Sequence, residues 1–188
     1  MIISVRGTNG SGKSTVVRQL IGVGKGRPIY GVLGPSRPEA YKLKIRGIWE
    51  PVYVLGPYLT ETGGCDSVQP FQLILDLLEK YSMRGHIVFE GMMISDTYGR
   101  IGLFLEPWGK EAVFAFLPTS LEECIKRVEK RRLDRGNLKP LNPKNTSSRY
   151  ESVQRVRDKI EAAGLMRTVT LTAGKEILEI KALLKEAS

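Results

Sequence analysis

Gly7-Thr8-Asn9-Gly10-Ser11-Gly12-Lys13-Ser14 decides how this chain is read. Gly7 and Gly12 bracket four residues and are followed by a lysine and a hydroxyl residue, the pattern of a phosphate-binding loop. The chemistry explains the residue types. Glycines let the backbone curl so that successive N–H groups point at a phosphate, and a following helix adds its positive N-terminal end. The lysine spans the terminal phosphates, and the serine hydroxyl is a ligand for Mg²⁺. Asn9, Gly10, Ser11, Gly12, Lys13, Ser14 and Thr15 are therefore the expected ATP-binding residues, with Ser14 also on the metal.

The flanks supply the context this loop needs. Residues 2–5 are a short apolar run, and Val16, Val17, Leu20 and Ile21 follow at helical spacing, giving strand, glycine loop, helix. Further along, residues 29–33 are strand-like. Residues 41–45 and 52–55 read as a hairpin inserted beside the core. Residues 56–67 read as a loop and 68–83 as a helix carrying Phe71, Ile74, Leu75 and Leu78. Strands are expected at 86–90, 112–117 and 168–171. Ser120 and Glu123 form a capping box at the head of a helix whose buried stripe is Leu121, Cys124, Ile125 and Val128. Residues 136–146 read as a loop, 147–163 as a helix, and the C-terminus as a last helix after a turn at Gly174. Strands alternating with helices predict an α/β protein with a parallel sheet covered on both faces. The expected architecture is a three-layer P-loop NTPase fold with five parallel strands, the hairpin near 41–55 and a basic lid.

The chain has 188 residues, a length suited to one domain spanning 1–188. Hydrophobic residues make up 41% and charged residues 26%, which places it among ordinary globular proteins. No run approaches the roughly 18 apolar residues of a membrane span. Two cysteines, Cys65 and Cys124, suit a reducing cytoplasm better than a disulfide scaffold. The net charge of +9 is concentrated: residues 126–159 hold twelve Lys/Arg against four Asp/Glu. Such a segment attracts polyanions, either a nucleoside triphosphate or a nucleic-acid backbone.

A phosphate loop alone does not give a function. A GTPase would read guanine through Asn-Lys-x-Asp, and the nearest stretch, residues 142–145 (NPKN), lacks the aspartate. A strand ending Phe89-Glu90-Gly91 lacks the paired acids of a motor ATPase. Kinases of small molecules or nucleic acids remain. Residues 116–131, FLPTSLEECIKRVEKR, resemble the fourth strand and lid-entry helix of the nucleoside monophosphate kinase superfamily. The resemblance implies that Arg127 and Arg131 touch the ATP phosphates or stack on adenine, with Arg132 and Arg135 as close candidates; the spacing of Arg127 and Arg131 independently puts them on one helix face. Residues 172–175, TAGK, resemble the loop that packs on adenine there, which implies a nucleotide contact at Gly174.

Phosphoryl transfer needs positioning, charge neutralisation and an acid to orient the attacking hydroxyl. Glu90, at the end of its strand, is the candidate for the Mg²⁺ shell. Asp66, after a glycine pair, is the candidate base. Glu61 and Asp96 are lesser candidates. The catalytic set is thus Lys13, Asp66, Glu90, Arg127 and Arg131, with Ser14 and Glu90 on the metal. Three segments, TETGGCD, FEGMMISDTYGR and KPLNPKNTSSRY, are similar to P-loop kinases of bacteriophages with hypermodified thymines. That resemblance implies an acceptor of 5-hydroxymethyluracil already within DNA, and work in the host cytoplasm. Trp49, Tyr58 and Tyr98 are candidates for stacking on an extruded base. A kinase of free nucleotides or nucleosides, and a nucleic-acid-binding ATPase, remain as alternatives.

Overall fold

The computed structural model describes residues 1–60 and 63–187. Glu61 lies outside them. The elements in chain order are β1 Ile2–Arg6, α1 Lys13–Val23, β2 Arg27–Gly31, β3 Gly34–Leu43, β4 Val52–Leu55, α2 Gln72–Ser82, β5 His86–Glu90, α3 Met92–Ser95, α4 Tyr98–Leu105, β6 Ala112–Phe116, α5 Leu121–Asp134, α6 Lys144–Ala163, β7 Arg167–Thr170 and α7 Glu176–Glu186.

One mixed sheet of seven strands runs in the order β2-β3-β4-β5-β1-β6-β7. From β4 to β7 each neighbouring pair is parallel, while β2 and β3 are antiparallel additions at one edge. Strand residues alternate between faces, and the alternation sorts the core into two layers. Ile2, Ile87, Phe89 and Phe114 pack with α2, α4 and α6. Ile3, Val5, Val88 and Val113 pack on the other side with α1 and α7. Each fully buried aliphatic or aromatic side chain of this kind contributes about 1.5–3 kcal/mol, so the central strands anchor the fold. The Arg6 guanidinium, fully buried at the end of β1, lies 4.5 Å over the Phe114 ring and donates to the Ile94 carbonyl, tying α3 to the sheet.

Two expectations about the sheet are corrected. It has seven strands rather than five, because the Gly/Pro-rich stretch 27–43 folds as a β2–β3 ribbon. The segment 52–55 is no insertion beside the core: β4 pairs antiparallel with β3 and parallel with β5, and all four of its residues are buried. Two short helices, α3 and α4, also occupy residues for which the periodicity predicted nothing. Among the described residues no helix is long and apolar enough to cross a membrane.

Strand direction fixes where the chemistry sits. The turns after β1, β4, β5, β6 and β7 all emerge at the carboxyl end of the parallel strands, the usual ligand side of an open α/β sheet. The β3–β4 connection emerges at the opposite end, beside the Met1 amino group, which lies 3.1 Å from His86 Nδ1. Trp49 is in that connection and is 93% exposed. It stands a strand's length away from the glycine loop and cannot stack on a base held there.

Candidate active site

Those five turns line one cleft of about 1530 Å³. The β1–α1 turn contributes Asn9, Gly10, Ser11 and Gly12, and the first turn of α1 adds Lys13, Ser14 and Thr15. Asp66 and Glu90 line the same cleft, as do Arg127, Arg131 and Gly174. Every residue of the expected catalytic and binding set thus meets at one place, drawn from five separate parts of the chain.

The loop geometry follows from its glycines. Gly10 has φ +80°, and a Cβ built there falls 2.3 Å from the Cys124 carbonyl oxygen of α5. Only glycine permits that approach, which brings the arginine-bearing helix onto the loop. Thr119 Oγ1 completes the junction by donating to the Ser11 carbonyl at 2.8 Å. The cap of α5 forms as its sequence predicts, with Glu123 N–H donating to Ser120 Oγ at 3.3 Å. Glu123 accepts in turn from Arg127 Nε at 2.7 Å, which holds Arg127 at the cleft wall.

Lys13 Nζ donates to the Gly7 and Thr8 carbonyls at 2.9 and 3.1 Å. Burial lowers its proton affinity, and the nearby Glu90 carboxylate partly restores it. Ser14 Oγ donates to Glu90 Oε1 at 2.8 Å. Glu90 is 1% exposed. Burial pushes its pKa up to about 7, against the pull of Lys13 and the Ser14 hydrogen bond. Gly64 makes room for it, since a Cβ there falls 2.4 Å from Glu90 Oε1. Asp66 is exposed to the cleft, yet both its oxygens are engaged. Oδ2 accepts from the Met92 amide at 2.7 Å and Oδ1 from the Met93 amide at 3.0 Å. The carboxylate is thereby fixed in orientation at the cleft lining.

The donor set fits Mg²⁺. Hard oxygens suit this ion, which takes one or two protein oxygens and completes its octahedron with water and phosphates. The adjacent Ser14 and Glu90 oxygens supply that many. No cluster of three or more His, Cys, Asp or Glu able to hold a metal occurs among the described residues.

No family model matches the chain. Over 166 residues, 87% of each chain, it is 34% identical to the 5-hmdU DNA kinase of Pseudomonas phage PaMx11. The chain belongs to the 5-hmdU DNA kinase family. The relative from Pseudomonas phage M6 is 28% identical over 173 residues, 86% of each chain. The relative from Delftia phage PhiW-14 is 25% identical over 179 residues, 87% of this chain and 65% of its own.

In this 5-hmdU DNA kinase family member, other expected residues stand elsewhere. Asp96 faces Arg149 at 3.8 Å, outside the cleft lining. Tyr58 is buried, and Tyr98 donates to Glu106 Oε1 at 2.9 Å on α4, so neither is an exposed loop aromatic. Arg18 and Arg37 line the cleft and were not foreseen. Arg37 donates to the Ser67 carbonyl at 2.7 Å, bracing the segment that bears Asp66. For Arg18 a signal existed: it follows Ser14 by four residues and so shares its helix face. For Arg37, on the Gly/Pro-rich first half of β3, there was none.

Proposed function

We propose that this chain transfers the γ-phosphoryl group of ATP to the hydroxymethyl oxygen of 5-hydroxymethyluracil within DNA. The observation that carries the reading is the 34% identity to a 5-hmdU DNA kinase over 87% of both chains. The cleft supports it. At about 1530 Å³ it exceeds the roughly 300–1,000 Å³ of a pocket for one small ligand, leaving room for a triphosphate and an extruded nucleotide together. The glycine loop between β1 and α1, under a run of parallel strands, supports classing the fold as a P-loop NTPase acting as one kinase unit.

In this reading the loop amides and Lys13 hold the β- and γ-phosphates, Lys13 exchanging its two loop carbonyls for phosphate oxygens. Arg127 and Arg131 reach the same phosphates from α5, and Gly174 lets the chain pass close to the adenine. Ser14 and Glu90 hold Mg²⁺, which when bound neutralises charge on the phosphate oxygens. Asp66, fixed by the Met92 and Met93 amides, accepts the proton of the hydroxymethyl group. The hydroxymethyl oxygen bonds to the γ-phosphorus as the bond to the bridging oxygen breaks, and ADP leaves. The basic stretch on α5 and α6 lies along the DNA backbone.

Transfer of labelled γ-phosphate tests this directly. DNA containing 5-hydroxymethyluracil should take up label, and Lys13→Ala should abolish it. Plain DNA should stay unlabelled. Label only in free nucleosides or monophosphates would sink the reading, as would phosphate release with no labelled acceptor.

A further inference from the structure

Arg18 lies on α1 one turn past Ser14, and its side chain lines the cleft. Its Nη2 is buried and meets no hydrogen-bond partner among the described residues. A buried donor left unpaired is costly, and native structures keep few. The residue that carries it is one of those lining the cleft.

Its electrostatic neighbours fix the side of the cleft it serves. The positive charge of Arg18 acts on Glu90 and on Tyr58. Both lie at the carboxyl ends of β4 and β5, on one side of β1. Arg127, Arg131 and Gly174 lie on the other side, with β6 and β7. Arg18 also shares a helix face with Ser14, whose hydroxyl bonds Glu90 at the end of β5, so it stands on that side of the cleft, where Pro57 and Asp66 are also among the lining residues.

The geometry points to Arg18 as a base-reading residue that donates a hydrogen bond to the 4-carbonyl oxygen of the acceptor pyrimidine. This rests on the DNA-base kinase reading above. On a 5-hydroxymethylpyrimidine the C4 substituent is next to the hydroxymethyl arm. When that arm reaches the carboxylates of Asp66 and Glu90, the C4 substituent falls beside them, where Arg18 stands. Uracil presents an oxygen acceptor at C4, whereas cytosine presents an amino donor. A guanidinium has only donors to offer, so it satisfies the first and opposes the second. The enzyme should accept 5-hydroxymethyluracil and reject 5-hydroxymethylcytosine, although both carry the same alcohol.

The test uses the full chain, two oligonucleotides differing only in that base, and the variants Arg18→Gln and Arg18→Lys. The wild type should prefer the uracil form. Arg18→Gln, whose amide both donates and accepts, should lose about 10- to 100-fold in that preference, with affinity for ATP alone unchanged. Arg18→Lys, keeping one charged donor, should fall between, and it decides the matter if the glutamine variant fails to fold by thermal melting. Equal transfer to both bases by the wild type overturns the inference and leaves the kinase reading standing. An unchanged preference in the variants, or a parallel loss on both bases with weakened ATP binding, also overturns it and assigns Arg18 to the triphosphate. A wild type inert on both DNAs removes the kinase reading itself.

Discussion

The Ser14 hydroxyl donates to Glu90 Oε1 at 2.8 Å, joining the first turn of α1 to the end of a central strand 76 positions later. That bond spans the two segments that frame the cleft floor, and with Lys13 it opposes the rise that burial imposes on the Glu90 pKa. The Glu90 pKa rises from the ordinary 4.5 to about 7 because the carboxyl is buried, with Lys13 and Arg18 opposing the rise and Asp66 adding to it. The folded chain therefore holds this proton more tightly than the unfolded chain. Its contribution is fully present below about pH 4.5 and is lost as pH rises through 7, with an upper figure of about 3 kcal/mol. Melting curves from pH 5 to 8.5 should show wild type losing stability relative to Glu90→Gln, which has no proton to lose. Mg²⁺ should raise the wild-type Tm more at pH 8 than at pH 6, because the metal competes with that proton. A flat difference between the two proteins across this range would contradict the assignment.

Two glycines of the same region should respond in opposite directions to alanine. At Gly10, φ is +80° and the new Cβ meets the Cys124 carbonyl oxygen. Left-handed strain and the forced shift each cost about 1–3 kcal/mol, and α5 moves off the loop with Arg127 and Arg131. Gly22, inside α1, has nothing within 4 Å of its Cβ position. There alanine should stabilise by about 0.5–1 kcal/mol. Urea unfolding measures both, and ATP affinity should fall only for Gly10→Ala.

The sequence made the glycine-loop half of the cleft readable because its signals are local. Loop glycines, Lys13 and Ser14 fall at fixed spacing, and Ser120 with Glu123 announces the start of α5. Glu90 could be placed because an apolar strand ends on it. The half around Asp66 is built from long-range pairings that leave no local trace. Asp66 faces the cleft only because the amides of α3, some 26 positions on, hold it. The β2–β3 ribbon joins the sheet through registers that Gly and Pro disguise, and it carries Arg37 with it. Residues 92–105 form helices of 4 and 8 residues, too short for a 3.6-residue period to show.

Under the proposed function Asp66 has two separable duties. As the partner of the Met92 and Met93 amides it fixes the turn into α3, a role worth about 1 kcal/mol by analogy with a helix cap. As proton acceptor it would contribute about 10²–10⁴ in kcat. Asp66→Asn keeps an oxygen for one amide and loses the base. The expected result is a small fall in Tm, an unchanged KM for ATP and a kcat lower by at least ~10²-fold. A drop in kcat no larger than the change in stability explains would leave Asp66 as a positioning residue for α3.

The location of Trp49 separates two ways in which an aromatic, basic protein can meet DNA. It is 93% exposed, but it lies at the amino-terminal end of the parallel strands, opposite the cleft. Lys139 and Lys144 are exposed on the segment leading from α5 into α6, the helix whose Thr146 carbonyl accepts from Thr8 Oγ1 of the glycine loop. Backbone contacts by lysine weaken with salt, each adding about one unit to the slope of log affinity against log salt. Replacing Lys139 or Lys144 with alanine should raise KM for modified DNA and lower that slope by about 1, with kcat little changed. Trp49→Ala should leave kcat/KM within about twofold, the behaviour of a surface substitution away from the chemistry. If Trp49→Ala raises KM for DNA while the lysine variants do not, the DNA path runs across the opposite end of the sheet, and the basic stretch serves the triphosphate alone.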